Sequence, residues 1–204
     1  MRDVLARLLA HGWHRVYSGR GFFVIRVKLA GPSTPDHVGN VVFRWANQGD
    51  LERLEALDAH GRGSSQRAYV ATRGDLLFVA CDGDRIVATR RCSREIRDPL
   101  AARVVALRPG QLWGADVFCL PEYRSQGVGS RLALFADRQL ASKGYTEVLA
   151  TVEARNVPSL RLSLRKGSEL AYYVSYLRLP FYERLRVSER MPRWCERTLR
   201  RRPV

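Results

Sequence analysis

Cysteine is scarce in this 204-residue sequence, and its cysteines carry no metal-ligand pattern. The four residues are Cys81, Cys92, Cys119 and Cys195, with no CxxC spacing and no neighbouring pair of histidines. Because structural zinc sites have such spacings, we predict that no metal is bound. The same usage favours reduced thiols, so we expect a cytoplasmic protein.

Long apolar runs are also absent. No stretch approaches the ~18 apolar residues of a membrane span, so we expect no transmembrane segment. The first ten residues include Asp3 and do not follow the pattern of a signal peptide. The length suits one globular domain with an appendage, and the hydrophobic content of 46% agrees with that class.

Lysine is scarce and arginine is abundant. Only three lysines, at positions 28, 143 and 166, occur among 35 basic residues, and the formal net charge is +15. Such a charge suits a polyanionic partner, but charges spread along a chain also suit a solvated surface, which is the interpretation we favour. Eight arginines and two glutamates concentrate in 184–204, which we expect to form a basic C-terminal tail.

Hydrophobic periodicity predicts a mixed α/β fold. An N-terminal appendage, 1–37, is expected to hold a helix at 2–10 and a β-hairpin with its turn at 18–21. The main domain, 38–183, is expected to follow. Its predicted elements are strand 38–45, a helix capped within 47–50, hairpin strands 76–81 and 85–90, a long loop at 92–111, strand 112–120, helix 128–143, strand 148–152, helix 156–166 and strand 170–179.

The most informative motif is Arg124-Ser125-Gln126-Gly127-Val128-Gly129, between an apolar strand and an amphipathic helix. Its two glycines remove side chains that would prevent close approach to the backbone. The N–H groups at the helix start and the charge of Arg124 favour an anion, so we predict a phosphate site. Neither GxxxxGK[ST] nor GxGxxG after the first strand occurs, which excludes two other classes of phosphate loop.

In this position the motif resembles the signature of the GNAT superfamily of acyl-CoA-dependent N-acetyltransferases. The similarity covers roughly 38–183 and includes 41–44 with Asp50-Leu51, the hairpin at 76–90, and the segments 116–129 and 152–159. The resemblance implies a central mixed, mostly antiparallel sheet with helices on both faces, splayed at the acyl-CoA site. It also implies acetyl-CoA as cosubstrate.

The resemblance further implies which residues bind the cosubstrate. The backbone of Phe118, Cys119 and Leu120 is expected to pair with the pantetheine amides, as an added strand would. Asn156 and Ser159 are expected near the pantetheine arm, although Asn156 also suits a plain helix N-cap. The pyrophosphate is expected against a continuous segment formed by Arg124, Ser125, Gln126, Gly127, Val128, Gly129 and Ser130.

Acetyl transfer to an amine requires a base, and two carboxylates are the predicted candidates. Asp116 lies in an otherwise apolar strand, where a charged carboxylate is disfavoured, and shares a face with Phe118 and Leu120. Glu153 ends a strand beside the proposed cleft. Asp116 also suits a polar position on a wet sheet face and Glu153 an ordinary charged strand end, and Glu122 or a chain of waters is an alternative.

The chain departs from the family at the residue that would protonate the leaving thiolate. Many members carry a tyrosine seven residues after the helix-start asparagine, where this chain has Ser163. A serine hydroxyl is much less acidic than a phenol. The thiolate therefore leaves unassisted, takes a proton from water, or uses Tyr172 or Tyr173. Cys119 as a nucleophile has no histidine beside it in sequence.

The leading prediction is an N-acetyltransferase that moves an acetyl group from acetyl-CoA to a primary amine of a small molecule or metabolite by direct attack. One alternative is a non-catalytic acyl-CoA-binding or regulatory domain, which the missing tyrosine favours. Another is an acetyltransferase acting on a protein or a nucleic-acid-associated substrate, which the basic charge favours. We expect acetyl-CoA and a small amine as partners rather than nucleic acid, and leave the choice between monomer and homodimer open.

Overall fold

The computed structural model describes residues 18–29, 35–54, 74–96, 98–179, 182–190 and 192. Within them, nine strands paired mostly antiparallel and three α-helices form the predicted mixed α/β architecture. The strands are β1 Ser18–Lys28, β2 His37–Val38, β3 Val41–Trp45, β4 Leu76–Asp82, β5 Arg85–Ser93, β6 Gln111–Cys119, β7 Glu147–Glu153, β8 Glu169–Leu179 and β9 Tyr182–Ser188. The helices are α1 Gln48–Arg53, α2 Val128–Ser142 and α3 Val157–Arg165, with short 3-10 helices at Ala101–Arg103 and Pro121–Tyr123.

The chain divides into two compact units, one formed by 28–150 and the other by 1–27 with 151–204. Among the described strands of the 28–150 unit the order is β2-β3-β4-β5-β6-β7, and of these pairs only β6–β7 is parallel. In the other unit, β8 pairs antiparallel with both β1 and β9. The predicted division into an appendage, a main domain and a tail, with boundaries after residues 37 and 183, stays a prediction.

Helix α2 supplies much of the core of the 28–150 unit. Its buried residues form the stripe predicted from their spacing, namely Val128, Leu132, Phe135, Ala136 and Leu140. The ring of Phe135 packs against Phe43 and Phe78, with centroids 6.3 Å away in each case. Because burying one such side chain contributes about 1.5 to 3 kcal/mol, these contacts fix α2 and the loop before it on the sheet.

Two neighbouring arginines of β5 are buried together with carboxylate partners. Arg90 donates to Asp137 Oδ1 at 2.6 Å and to the Ala133 carbonyl oxygen at 2.5 Å, which ties β5 to α2. Arg91 donates to Asp75 Oδ2 at 2.7 Å. A buried charge without a partner strongly destabilises a folded protein, so the stability of this fold depends on both members of each pair.

Helix α1 begins with a capping box, which confirms the helix start predicted within 47–50. Asn47 Oδ1 accepts from the Asp50 N–H at 2.9 Å, and Asp50 Oδ2 accepts from the Asn47 N–H at 2.8 Å. Arg44 of β3 donates to both carboxylate oxygens of Asp50, at 2.8 Å for Nη2 to Oδ1. The strand therefore holds the first turn of the helix through one buried carboxylate.

One local prediction near the N-terminus is wrong, and a second is confirmed only in part. Residues 18–21, predicted as a hairpin turn, lie within β1, where Gly21 is opposite Ser175 of β8. Pairing with a distant strand overrides the turn preference of glycine and serine. The strand predicted at 38–45 is two antiparallel strands, β2 and β3, because Gly39 turns the chain at φ 57°. The helix predicted at 2–10 lies outside the described residues.

Strand β9 is not predicted from the sequence, because three of its seven residues are charged and interrupt the apolar pattern. It covers Tyr182–Ser188 and pairs with β8 from Leu179↔Tyr182 to Tyr173↔Ser188. Most of its side chains are exposed, so it has no buried face that would produce an apolar alternation. Part of the segment predicted as a basic tail therefore lies in the sheet.

Candidate functional site

Strand β6 changes its pairing where the predicted site begins. Its parallel ladder with β7 covers Gln111–Gly114. A β-bulge at Ala115 follows, because Asp116 is opposite Arg91 of β5 whereas Gly114 is opposite Cys92. Bulges redirect the side chains that follow them, so the orientation of Asp116 depends on this irregularity.

Beyond the bulge, one edge of β6 is engaged with β5. The Leu120 N–H donates to the Val87 carbonyl oxygen at 2.9 Å, and the Leu120 carbonyl oxygen accepts from the Tyr123 N–H at 3.0 Å. Both backbone groups of Leu120 are thus used within the protein. Since alternate residues point their backbone groups to the same edge, Phe118 also directs its groups towards β5.

The opposite edge of β6 carries the backbone groups of Val117 and Cys119. The Cys119 carbonyl oxygen accepts from Arg124 Nε at 3.0 Å. Val117 is opposite Arg90, whose side chain contacts α2, so Val117 lies on the α2 face of the sheet. Its side chain is nevertheless 58% exposed. This face of β6 is therefore open beside the start of α2, in agreement with a groove rather than a packed core.

The loop between β6 and α2 adopts a constrained conformation. Gly127 has φ 81° in the left-handed region, where glycine has no steric cost. Ser125, with φ 62°, is the non-glycine residue of the described chain that has a positive φ. Gln126 Nε2 donates to the Glu122 carbonyl oxygen at 2.7 Å and closes the loop. Strain of this kind is common at binding sites.

The first turn of α2 is electropositive. Gly127 precedes the helix and has no side chain to cap it, and no acidic residue lies in the first turn. The N–H groups that begin the helix and the positive end of its dipole both favour an anion there. Arg124 and Arg131 flank this end with exposed side chains. The predicted residues 124–130 are thus brought together as a potential anion site.

Gly129 is a glycine for which the protein's own packing gives no reason. A Cβ at this position would lie 3.7 Å from the Cβ of Cys119, which is ordinary van der Waals contact. Its φ is not in the left-handed region, unlike that of Gly127. The missing side chain leaves room at the helix start, which fits close approach of a phosphorylated ligand to the backbone.

The tip of the β4–β5 hairpin anchors this loop. The Tyr123 hydroxyl donates to Asp82 Oδ2 at 2.7 Å, and this hydrogen bond raises the pKa of Tyr123. Arg85 Nη2 lies 2.7 Å from Glu122 Oε1. Glu122, the alternative base, is therefore an exposed partner of an arginine. No local sequence pattern indicates Asp82 and Arg85 as neighbours of this loop, because only the register of the hairpin places them beside it.

The Cys119 thiol is not poised as a nucleophile. Burial raises its pKa, while the positive charge of Arg124 and a hydrogen bond from the Gly129 backbone oppose that effect only in part. A cysteine nucleophile needs a lowered pKa. The side chain instead packs against the start of α2.

Asp116 has a different setting from the one its sequence predicts. It is half-buried in β6 and lies opposite Arg91, which is paired with Asp75 at 2.7 Å. The surroundings of this carboxylate therefore include a buried ion pair rather than apolar side chains alone. Its role as a base stays a prediction.

Glu153, the second candidate base, belongs to the other unit and is held by an arginine. Arg20 of β1 donates from Nε to Glu153 Oε1 at 2.6 Å, and its guanidinium lies 5.0 Å from the centroid of the Phe22 ring. The adjacent Ala154 N–H donates to the Gly21 carbonyl oxygen at 2.8 Å. Glu153 is half-exposed, so its carboxylate is both oriented and accessible.

Asn156 and Ser159 form the start of helix α3. Asn156 Oδ1 accepts from the Ser159 N–H at 3.2 Å, which is the N-cap contact considered as an alternative from sequence. One turn later, the Ser163 hydroxyl donates to the Ser159 carbonyl oxygen at 3.0 Å. The serine that replaces the family's tyrosine therefore uses its proton within its own helix.

Tyr173 packs beside the end of β7. Its ring centroid is 5.0 Å from that of Phe23, and a Cβ at Gly21 would lie 2.9 Å from its hydroxyl oxygen. A side chain at position 21 would displace this hydroxyl, so Gly21 provides its space. Tyr173 is thus a packing residue whose hydroxyl lies close to the segment that carries Glu153.

The described residues contain no group of three or more histidine, cysteine, aspartate or glutamate side chains that could hold a metal ion. None of the helices in the described part of the chain combines the length and apolar character needed to cross a membrane.

Several solved structures resemble this chain. A GCN5-related N-acetyltransferase from Sphaerobacter thermophilus is 20% identical, with a TM-score of 0.57 over 86% of this chain and 56% of its own. One from Kribbella flavida is 19% identical, with a TM-score of 0.55 over 86% and 66%. AAC(6')-Iy, solved in complex with the bisubstrate analogue CoA-S-monomethyl-acetylneamine, is 16% identical, with a TM-score of 0.50 over 64% and 92%. At such low sequence identities, these structural similarities show a shared fold alone.

This chain thus spans 56% and 66% of the length of the first two of these proteins. No curated protein sequence matches it. The model of the acetyltransferase (GNAT) family, however, matches residues 43–167, which is more than half of the chain and includes strand β6, the glycine loop and helices α2 and α3. The chain therefore belongs to the GNAT acetyltransferase family.

Proposed function

We propose that this protein is an N-acetyltransferase that transfers the acetyl group of acetyl-CoA to a primary amine of a small molecule. The start of α2 carries this proposal. Gly129 lacks a side chain that the protein itself would accommodate, at a helix end with no acidic residue in its first turn. Membership of the GNAT family indicates acetyl transfer. The space left by the missing side chain of Gly129 supports a phosphorylated acetyl donor.

The donor-binding roles divide between two parts of the 28–150 unit. Residues 124–130 would hold the pyrophosphate with helix-start N–H groups and the side chains of Arg124 and Arg131. The edge of β6 that faces away from β5 would accept the pantetheine arm, through the backbone of Val117 and the Cys119 N–H. Leu120 instead fixes the start of the loop, because both its backbone groups are engaged. Acetyl-CoA would supply an activated acyl group as a thioester.

Glu153 is the base that the contacts favour. Its carboxylate is oriented by Arg20 at 2.6 Å and remains half-exposed, so that a substrate or a bridging water can reach it. Asp116 lies beside the buried Arg91–Asp75 pair and is the weaker candidate. An oriented carboxylate would take the proton of the attacking amine, and direct attack needs no covalent intermediate on the protein.

The proposal is tested by measuring thiol release from acetyl-CoA over a panel of primary amines. We expect amine-dependent release by the wild-type chain and its loss in Gly127→Trp, where an indole would fill the loop. Gly167→Trp is the matched control, because Gly167 also has a left-handed φ, of 82°, and open space around it. Release that survives Gly127→Trp, or that Gly167→Trp abolishes equally, would contradict the proposed donor site.

A non-catalytic acyl-CoA-binding role is the second candidate, and Ser163 is the observation that favours it. Its hydroxyl is committed to the Ser159 carbonyl oxygen, so no acid stands at the position of the family's tyrosine. Calorimetric binding of acetyl-CoA without turnover of any amine would favour this role. In that case Glu153→Gln would leave binding unchanged.

A further inference from the structure

A second cleft lies in the 28–150 unit, at the end of α2 far from the glycine loop. Its volume is about 520 Å³, and it is lined by Trp45, Leu76, Arg94, Lys143 and Tyr145. Helix α2 has 15 residues and is therefore about 22 Å long. Lys143 follows its last turn, whereas Gly127 precedes its first, so the cleft is separate from the predicted phosphate loop.

Two cations converge on this cleft without carboxylate partners among the residues that the structure describes. Arg94 donates from Nε to the Tyr145 hydroxyl at 3.2 Å, and Lys143 Nζ lies 5.2 Å from the centroid of the Trp45 ring. Three other arginines of this unit, Arg44, Arg90 and Arg91, instead each pair with an aspartate. Like charges that share a concave surface repel each other and favour an anion between them.

The aromatic side chains of the cleft are held in place. Trp45 Nε1 donates to Gln139 Oε1 at 3.2 Å, and its ring centroid is 4.1 Å from that of Phe78. Tyr145 fixes one guanidinium nitrogen of Arg94, which leaves the terminal nitrogens to bind a carboxylate or phosphate. With Leu76, the rings provide apolar surface beside the charges, which is the usual composition of a small-molecule site.

We propose that this cleft binds a small organic anion, a carboxylate or a phosphate monoester carried on an aromatic or apolar body. Arg94 and Lys143 bind the anionic head, and Trp45, Leu76 and Tyr145 contact the body. A protonated amine is repelled by the same cations, so the cleft does not receive the amino group of an acceptor. The proposal does not depend on acetyl transfer.

The test is isothermal titration calorimetry of the full chain with phenyl phosphate and with benzoate at low salt. Benzyl alcohol, which lacks the charge, and inorganic phosphate, which lacks the body, are the ligand controls. We expect each aromatic anion to bind more tightly than both controls. Arg94→Gln and Lys143→Gln should each weaken binding about tenfold, because each removes one charge-assisted contact.

Lys166→Gln is the matched protein control, because Lys166 follows α3 as Lys143 follows α2. It removes the same charge from a helix end and should leave binding unchanged. Tyr145→Phe, which releases Arg94 and keeps the ring, should weaken binding less than Arg94→Gln does.

Saturating CoA distinguishes the two possible anion sites of this unit. We expect it to leave phenyl phosphate binding intact, since CoA is proposed to occupy the opposite end of α2. Displacement by CoA, equal binding to the Arg94→Gln, Lys143→Gln double variant, or equal affinity for benzyl alcohol would overturn the proposal. Loss of acetyl transfer alone bears on the proposed function and not on this cleft.

Discussion

Arg20 Nε and Glu153 Oε1 are 2.6 Å apart, although 133 residues separate them in the sequence. Strand β1 brings Arg20 to the end of β7, and the hydrogen bond from the Ala154 N–H to the Gly21 carbonyl oxygen holds the two backbones together. Both side chains are partly exposed, and ion pairs of this kind contribute little to stability. The contact therefore orients a carboxylate more than it stabilises the fold.

Replacing Glu153 by glutamine should lower kcat about 100-fold or more, because general-base catalysis contributes on that scale. KM for acetyl-CoA should change little. Arg20→Gln should lower kcat by a smaller factor, again with little change in KM, because Arg20 positions the base without replacing it. Steady-state kinetics with a good amine substrate measure both effects.

The control for this prediction is Glu169→Gln. Glu169 pairs with Arg26 of the same strand β1, and the exposures of the two acidic side chains are nearly equal, at 48% and 50%. The variant breaks a longer ion pair, with Arg26 Nη1 and Glu169 Oε2 3.9 Å apart, away from the proposed base. If it reduced kcat as strongly as Glu153→Gln does, a general effect on this unit would explain both results.

Gly129→Ala should separate stability from donor binding. An alanine Cβ fits at 3.7 Å from Cys119, and alanine favours a helix over glycine by about 0.5 to 1 kcal/mol, so the free energy of unfolding should stay equal or rise. The methyl group occupies the space proposed for the pyrophosphate, so acetyl-CoA should bind at least about tenfold more weakly. Urea unfolding and calorimetry measure the two quantities.

Gly127→Ala provides the contrast. Its left-handed φ of 81° makes any side chain costly, by about 1 to 2 kcal/mol, so this variant should lose stability. A Gly129→Ala variant that lost stability and kept its affinity for acetyl-CoA would show that the glycine serves the fold instead.

Ser163→Ala should leave kcat within about twofold of the wild-type value. The Ser163 hydroxyl donates to the Ser159 carbonyl oxygen and so has no proton directed elsewhere, and such backbone hydrogen bonds within a helix add little stability. Initial rates across pH 6 to 10, roughly the range in which thiols and phenols titrate, provide the measurement. A large loss of kcat, or loss of the basic limb of the pH profile, would assign Ser163 a direct role in proton transfer.

Asp50 makes stability depend on pH in the acid range. Burial raises its pKa, but the hydrogen bonds from Arg44 and from the Asn47 N–H outweigh burial, so the pKa of Asp50 lies below its ordinary value. A carboxylate with a lowered pKa stabilises the folded state above the unfolded pKa, near 3.9, and this contribution is lost as pH falls through the folded pKa.

Asp50→Asn should therefore cost about 2 to 3 kcal/mol in the free energy of unfolding at pH 7, since it leaves Arg44 without its charged partner. The difference from wild type should shrink as the pH falls below about 4, which urea titrations at several pH values measure. Asp84→Asn serves as the control, because Asp84 is 97% exposed and its pair with Arg53 should add nothing measurable. A difference that stayed constant with pH would mean that the charge of Asp50 is unimportant.

Elements with a strong local signal were predicted correctly from the sequence. The buried stripe of α2, the hairpin around Gly83 and the cap of α1 at Asn47 all follow from residues close together in the chain. Periodicity, turn chemistry and capping are short-range effects, so a single sequence contains them. The same holds for the order of strand, glycine loop and helix that identified the family.

The misassigned elements depended on partners distant in sequence. Gly19 and Gly21 favour a turn locally, yet β1 continues through them because β8 offers a ladder along its whole length. The bulge at Ala115 exists only in the register of β6 against β5. No local pattern predicts either, because both depend on which strands pair and in which register.

The sequence by itself determined the family, the fold class and the position of the glycine loop before α2, because a helix start, two glycines and an apolar strand are local features. The tertiary structure decided what surrounds each candidate group. It placed Arg20 on Glu153, Arg91 opposite Asp116, and Arg94, hydrogen-bonded to Tyr145, with Lys143 in a second cleft. Charges act through space, and the distances between them exist only once strands that are far apart in the chain have paired.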